Sequence, residues 1–188
     1  MLAWLAVAAG LAVAASPAPP MVGMGEYDAA RAADVPAIET VGVATCIAVF
    51  LYDPQAKAGA LGHFAATTDA ARSIAEMRRA LEAAGGSWKR ARASVIGGWD
   101  TSKIADVAGF RSTSPELLAQ IKAALRGVPI VKEQTLAVPF SGQKTIRNLR
   151  ADLETGALED FEPNGPVVPS SDSSDPSAPR RPLRRHAR

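Results

Sequence analysis

Two segments of the chain carry apolar residues at helical spacing. The first begins near Thr68 and ends at Gly85-Gly86, a pair that cannot continue a helix. Its apolar stripe is Ile74, Met77 and Leu81. The second begins at Ser114-Pro115-Glu116, with proline in the first turn and an acid near the positive end of the helix dipole, and it ends at Gly127. Its apolar face is Leu117, Leu118, Ile121 and Leu125.

Short runs of β-branched and small apolar residues predict strands around these two helices. Thr40 to Tyr52, with Gly42 inside it, predicts two strands or a strand–turn–strand, and Cys46 falls near the junction. Asp53-Pro54 predicts the turn that follows. Further strands are predicted over 57–65, over 91–96 running into Gly97-Gly98, over 128–131, over 145–153, and as a short strand after a turn at Thr155-Gly156.

The composition indicates one globular domain with unstructured ends. The chain has 188 residues, of which 47% are hydrophobic and 21% charged. Its formal net charge is only +2, and five arginines lie in the last nine residues. Without those arginines the body is mildly acidic, which argues against a nucleic-acid-binding core.

Both ends of the chain differ from the body. Residues 1–20 are apolar and carry no charge, but the apolar run is too short to span a bilayer as a helix. They are either an extension before a true start at Met21 or Met24, or an export signal with Ala12-Val13-Ala14 as its cleavage site. Residues 163–188 are rich in Pro, Ser and Arg and predict a disordered tail. The predicted domain is therefore 21–162.

The candidate chemistry rests on one thiol and one imidazole. Cys46 is the only cysteine, and His63 is the only histidine within 21–162. A single cysteine forms no intramolecular disulfide, and this pair is too small a set for a structural zinc site, so neither a metal nor a cofactor is expected. An adjacent imidazole can activate a thiol as a nucleophile.

An ordered set of motifs spans 21–161. It begins with Val22-Gly23-Met24-Gly25-Glu26-Tyr27, continues with Thr40-Val41-Gly42-Val43-Ala44-Thr45-Cys46, and then reaches Gly59-Ala60-Leu61-Gly62-His63. Further landmarks lie at 51–54, 93–98, 127–131 and 152–156. Together these segments resemble the CheD family of chemoreceptor glutamine deamidases in its opening strand, core motif and later landmarks. The resemblance assigns the catalytic roles to Cys46, His63 and Thr40.

The resemblance implies a fold and an activity. The fold is α+β, an α/β/β layered sandwich of mostly antiparallel strands with two main helices on one face. The activity is that of a protein-glutamine glutaminase acting on methyl-accepting chemotaxis receptors. Cys46 would attack the carboxamide, His63 would move the protons, and Thr40 would orient the imidazole. The family also implies a CheC-type phosphatase as partner, a cytoplasmic location and no membrane insertion.

Three segments depart from the family pattern. Ala44-Thr45 replace an expected Gly-Ser, and Ala44 fits only with a negative φ. Trp99-Asp100-Thr101 replace small residues, and 136–140 replace a Gly-Gly-Asn-type loop. Trp99 is interpreted as a packing or rim residue, with a ligand platform as the alternative.

Other interpretations of the same residues stay open. Cys46 and His63 could be buried core residues, and Thr40 could be an ordinary strand threonine. With a true export signal, the protein would be an exported, toxin-like deamidase. A binding module that uses the altered 136–140 segment to dock a partner is the non-enzymatic alternative.

Overall fold

The computed structural model describes residues 17–100, 114–138, 141–142 and 144–163. Its helices are α1 (Ala70–Ala83) and α2 (Ser114–Ala124), with one turn of 3₁₀-helix at Trp88–Arg90. The strands are β1 (Met21–Val22), β2 (Tyr27–Arg31), β3 (Ala37–Val43), β4 (Ile47–Asp53), β5 (Ala58–Phe64), β6 (Arg92–Trp99), β7 (Ile130–Ala137), β8 (Arg147–Asp152) and β9 (Leu158–Asp160). The predicted α+β class is confirmed.

The strands form two sheets. A four-stranded sheet has the order β1-β3-β8-β9, and a five-stranded sheet has the order β2-β5-β4-β6-β7. All neighbouring strands are antiparallel except the pairs β1–β3 and β6–β7. Both helices pack on one face of the five-stranded sheet, and the four-stranded sheet covers its other face. This arrangement agrees with the α/β/β layered sandwich that the resemblance implied.

The five-stranded sheet is buried on both faces because it lies in the middle layer. Successive residues of a strand point to opposite faces. Val49 and Leu51 therefore pack with the helices, while Ala48 and Phe50 pack against the four-stranded sheet. All seven residues of β4 and all seven of β5 are buried. Burial of both faces explains why β4 is a continuous apolar run without alternation.

The small residues of β5 allow neighbouring side chains to approach its backbone. A Cβ added at Gly59 would lie 2.4 Å from the Phe50 ring, and one at Gly62 would lie 2.7 Å from the sulfur of Met77. Because Met77 is fully buried on α1, Gly62 lets that helix sit close to the sheet. The strand predicted over 57–65 is confirmed as β5.

The ends of α1 follow from local chemistry. The side chain of Asp69 accepts a hydrogen bond from the backbone N–H of Arg72 at 3.0 Å, so Asp69 is the N-cap. At the other end Gly85 has φ +88°, and the N–H of Gly86 donates to the carbonyl of Leu81. Both glycines thus terminate the helix as predicted.

Three predicted elements have different bounds in the structure. The opening segment is two strands, because a turn between Gly23 and Glu26 separates β1 from β2. The strand predicted over 128–131 begins at Ile130 and runs to Ala137, because pairing with β6 supports its polar second half. The position of Gly97-Gly98 at the end of the apolar run indicated a turn after β6. In the structure both glycines lie within that strand.

Other predictions fall outside the described residues. They are the cleavage site Ala12-Val13-Ala14, the tail from 164 onward, and the departures at Thr101, Pro139 and Phe140. Among the described helices, none is long and apolar enough to cross a membrane.

Candidate active site

The candidate site lies where the chain passes from one sheet to the other. β3 belongs to the four-stranded sheet, and β4 belongs to the five-stranded sheet. The register of β3 on β8 shifts between Thr40 and Val43, and Gly42 in that interval has φ +72°. Glycine adopts such a left-handed conformation without steric cost. The irregularity turns the chain out of β3, and residues 44–46 carry it into β4.

Thr40 and His63 face each other across the space between the sheets. The Oγ1 of Thr40 lies 2.8 Å from the Nδ1 of His63, and it also donates to the carbonyl of Val22 at 2.8 Å. Both side chains are buried, Thr40 completely and His63 to 3% exposure. The structure therefore brings two of the three predicted residues into direct contact.

The hydrogen bonds of Thr40 assign the tautomer of His63. A threonine hydroxyl has one proton, and here that proton goes to the Val22 carbonyl, which only accepts. The hydroxyl oxygen must then accept from Nδ1, so Nδ1 carries the ring proton. Nε2 is left with a lone pair, the form that a general base requires.

The Nε2 of His63 is buried and has no hydrogen-bond partner among the described residues. The thiol of Cys46 consequently makes no hydrogen bond to it in this structure. Buried polar atoms are nearly always paired, and an unpaired one costs about 1–3 kcal/mol. Such an atom is therefore a candidate for contact with a substrate.

Cys46 lies at the same end of the five-stranded sheet as His63. His63 is the partner of Ala48 in the β4–β5 register, so these two side chains share a face. Cys46 precedes Ala48 by two residues and lies in the bend that leads into β4, outside the paired register.

The peptide groups on both sides of Cys46 are held by other elements. The hydroxyl of Ser114, at the start of α2, donates to the carbonyl of Thr45 at 2.9 Å. The N–H of Gly98 donates to the carbonyl of Cys46 at 2.7 Å. The cysteine backbone is thus fixed from two directions, although it lies outside any strand.

Burial shifts the pKa of both candidate groups. It lowers the pKa of His63 from 6.5 to about 4, because the buried ring disfavours a charge. It raises the pKa of the Cys46 thiol above 9.0, and a hydrogen bond from Thr45 opposes this only in part. Near neutral pH the site therefore holds a thiol and a neutral imidazole, not the lowered thiol pKa that an adjacent imidazole can produce.

Gly97 is the position where a side chain would disturb this loop most directly. A Cβ there would lie 2.5 Å from the carbonyl oxygen of Cys46, and φ is +117°. We expect Gly97→Ala to lower the free energy of unfolding by about 2 kcal/mol more than Gly85→Ala. Gly85 also has a positive φ, +88°, but its Cβ would meet nothing within 4 Å. Urea unfolding of both variants measures the difference, and equal losses would contradict the contact.

The buried His63 should make stability depend on pH. Its folded-state pKa, about 4, is below the unfolded value of 6.5, so the unfolded chain binds more protons between these values. The contribution of the neutral His63 to the free energy of unfolding is then fully present above pH 6.5. The free energy of unfolding falls by about 3 kcal/mol as the pH is lowered toward 4. Urea unfolding at a series of pH values measures this fall. The variant His63→Asn is the control, and its curve should stay flatter above pH 4.5; parallel curves would exclude a neutral buried imidazole.

The sequence did not reveal the residues that hold the candidate groups in place. The carbonyl of Val22 fixes Thr40, and Ser114 with Gly98 fixes the backbone at Cys46. Ser114 was interpreted only as a helix start, and its burial to 1% exposure is a tertiary result. Among the described residues, no group of three or more His, Cys, Asp or Glu side chains could hold a metal ion.

Two of the departures are accommodated by the fold. Positive φ among described non-glycine residues occurs at Lys57 and Leu136, so Ala44 has the negative φ that it requires. The indole N–H of Trp99 donates to the carbonyl of Thr145 at 2.7 Å, which fits a packing role. Leu136, in the third departure, has φ +57°, a conformation that glycine adopts more readily.

Comparisons with known proteins give no family assignment. No family model matches the chain, and no curated protein matches it. Among solved structures, the Bacillus licheniformis hypothetical protein YfiH is similar with a TM-score of 0.38 and 15% sequence identity. The similarity covers 60% of this chain and 54% of YfiH, so the chain spans about half the length of that protein. A similarity this low carries no argument about function.

Proposed function

We propose that this protein is a protein-glutamine deamidase with Cys46 as nucleophile, His63 as base and Thr40 as the residue that orients the base. The observation that carries the proposal is the hydrogen bond between Thr40 and His63 Nδ1, 2.8 Å long and buried. It leaves Nε2 unprotonated and unpaired, at the end of the sheet where Cys46 leads into β4.

The reaction replaces the amide nitrogen of a glutamine side chain with an oxygen from water. The Cys46 sulfur bonds to the carboxamide carbon while His63 Nε2 takes the thiol proton, which gives a tetrahedral intermediate. His63 then returns that proton to the nitrogen, ammonia leaves, and a thioester remains. In the second half, His63 takes a proton from water as the water attacks. Collapse releases glutamate and the thiol.

The electrostatics favour proton transfer during attack over a preformed ion pair. The thiol pKa is raised and the imidazole pKa is about 4, so a thiolate–imidazolium pair is disfavoured before substrate binds. The thiol must also move toward Nε2, since no hydrogen bond joins them here. Catalytic hydrogen bonds commonly tighten only when substrate binds.

Thr40 suits a slow, regulatory reaction better than a fast one. Its hydroxyl holds the imidazole in the required tautomer, but it carries no negative charge. It therefore stabilises a transient imidazolium less than a carboxylate would. Backbone N–H groups of the loop at Cys46 are the donors available for the oxyanion of the tetrahedral intermediate.

The substrate follows from the resemblance to the CheD family. We propose methyl-accepting chemotaxis receptors as the substrate, with glutamines of their cytoplasmic helical hairpin converted to methylatable glutamates. The ordered match of the motifs around Thr40, Cys46 and His63 supports this, together with the α/β/β sandwich. A CheC-type phosphatase would be the regulatory partner, and the cytoplasm the place of action.

The test is incubation of the full-length protein with cytoplasmic receptor fragments, followed by mass spectrometry of their peptides. We expect an amide-to-acid mass increase at particular glutamines and release of ammonia. As a control, fragments with those glutamines changed to asparagine should stay unmodified. If no glutamine changes in any receptor fragment while the protein is folded, the proposed substrate is wrong.

The raised thiol pKa is the observation that favours a non-enzymatic binding module instead. Such a module would bind receptor fragments without any change in their mass. An exported deamidase would have the same site chemistry but a different cellular location. N-terminal mass analysis of the native protein distinguishes it: cleavage after about Ala14 supports export, and a start near Met21 removes it.

A further inference from the structure

The Thr45–Cys46 peptide group is held by a side chain from a distant part of the chain. Ser114 Oγ donates to the Thr45 carbonyl at 2.9 Å, across 69 positions of sequence. Ser114 is 1% exposed, so the hydrogen bond is shielded from competing water. Ser114 is the first residue of α2, and proline and glutamate follow it in the first turn.

A peptide group is planar, so holding one of its atoms orients the others. The Thr45 carbonyl shares its plane with the N–H of Cys46. On the other side of Cys46, the N–H of Gly98 holds the Cys46 carbonyl at 2.7 Å. With both planes fixed, the φ and ψ of Cys46 are fixed, and so is the direction of its Cα–Cβ bond, from which the thiol extends.

The packing around Gly98 brings together the two hydrogen bonds that hold the backbone on either side of Cys46. A Cβ added at Gly98 would lie 3.2 Å from the Cβ of Ser114 and 3.4 Å from Ile47, and φ there is +76°. The absence of a side chain lets the start of α2 reach the loop. The same closeness lets the hydroxyl of Ser114 reach the carbonyl of Thr45, directly before Cys46.

We propose that Ser114 is a positioning residue, which aims the Cys46 thiol and the Cys46 N–H by holding the Thr45 carbonyl. This inference rests on the proposed function for its catalytic consequence, but its structural part does not. The role assigned to Ser114 acts through the Thr45 carbonyl and not through contact with the substrate. Its effect passes through one peptide plane, and small errors of alignment are costly in catalysis.

The experiment compares Ser114→Ala, Ser114→Thr and the control Ser73→Ala in the full-length protein. Ser73 is also a buried serine near the start of a helix, at 3% exposure, but it lies on α1. The first measurement is the rate of Cys46 alkylation by iodoacetamide, followed by intact mass, which is unambiguous because the chain has one cysteine. The second is kcat and KM for receptor-fragment deamidation, and the third is urea unfolding.

We expect iodoacetamide to alkylate Cys46 about fivefold faster in Ser114→Ala than in the wild type, because one hydrogen bond no longer restrains the loop. Its kcat should fall about tenfold with an unchanged KM, because the thiol and the N–H are misaligned. Ser114→Thr keeps the hydroxyl, so its alkylation rate and its kcat should equal those of the wild type. Ser73→Ala should match the wild type in alkylation and kcat at comparable loss of stability.

Two results would overturn the inference. One is an alkylation rate of Ser114→Ala equal to that of the wild type. The other is a matching change in Ser73→Ala, which would show that lost stability alone explains the effect. If Ser114→Thr unfolds, the comparison of Ser114→Ala with Ser73→Ala still tests whether Ser114 positions the loop. If the wild type deamidates nothing, the proposed function fails, while the alkylation rates still test the positioning role.

Discussion

Replacement of Cys46 by serine should abolish deamidation, with activity reduced by a factor on the order of 10³ or more. A serine hydroxyl has a much higher pKa than a thiol, and an imidazole with a pKa of about 4 is a weak base for it. The change is small and the site is 8% exposed, so the fold should remain. The measurement is the mass change of receptor peptides, alongside urea unfolding.

Chemical blocking provides the matched control for this variant. Wild-type protein treated with iodoacetamide carries a blocked thiol at one position only, because Cys46 is the single cysteine. It should lose activity to the same extent as Cys46→Ser. Deamidation that continues unchanged in the serine variant would remove the enzyme assignment altogether.

Replacement of His63 by asparagine should reduce kcat by about 10²–10⁴-fold, the usual contribution of a positioned base. The asparagine side chain can place a polar atom near the position of Nδ1 and so keep a hydrogen bond to Thr40. It has no group at the position of Nε2. Loss of activity with an intact fold would therefore be assigned to the unpaired nitrogen and not to the loss of a structural contact.

Thr40→Val is the companion variant, because it keeps shape and removes the hydroxyl. It deletes the hydrogen bonds to His63 and Val22 but leaves Nε2 in place. We expect a smaller loss, about tenfold in kcat, since only the orientation of the base is affected. A His63→Asn variant that retained full activity would show that the imidazole is a buried core residue.

Much of the local structure was predictable because local signals agreed with one another. Thr68 and the glycines after Ala84 marked the approximate ends of α1, and the apolar stripe with Met77 identified its buried face. Where a signal was short or polar, prediction was poorer. The polar second half of β7 gave no strand pattern, since its pairing with β6 comes from outside the segment.

The candidate site shows the same division. Thr40, Cys46 and His63 were identified from sequence, through their residue types and their motif. The contact of Thr40 with His63 was an implication of resemblance and is present in the structure. The roles of Val22 and Ser114 were missed, because a backbone carbonyl has no sequence signature and a serine before proline is ordinary at a helix start.

By itself, the sequence determined that the chain mixes helices and strands and has one thiol and one imidazole within 21–162, because composition, periodicity and helix-end residues are local properties. Only the tertiary structure decided that β3 and β4 belong to different sheets, so that the turn between them carries Cys46 across the layers. It also decided the protonation of His63. Burial and hydrogen bonds from distant residues set that property, and sequence neighbours do not specify either of them.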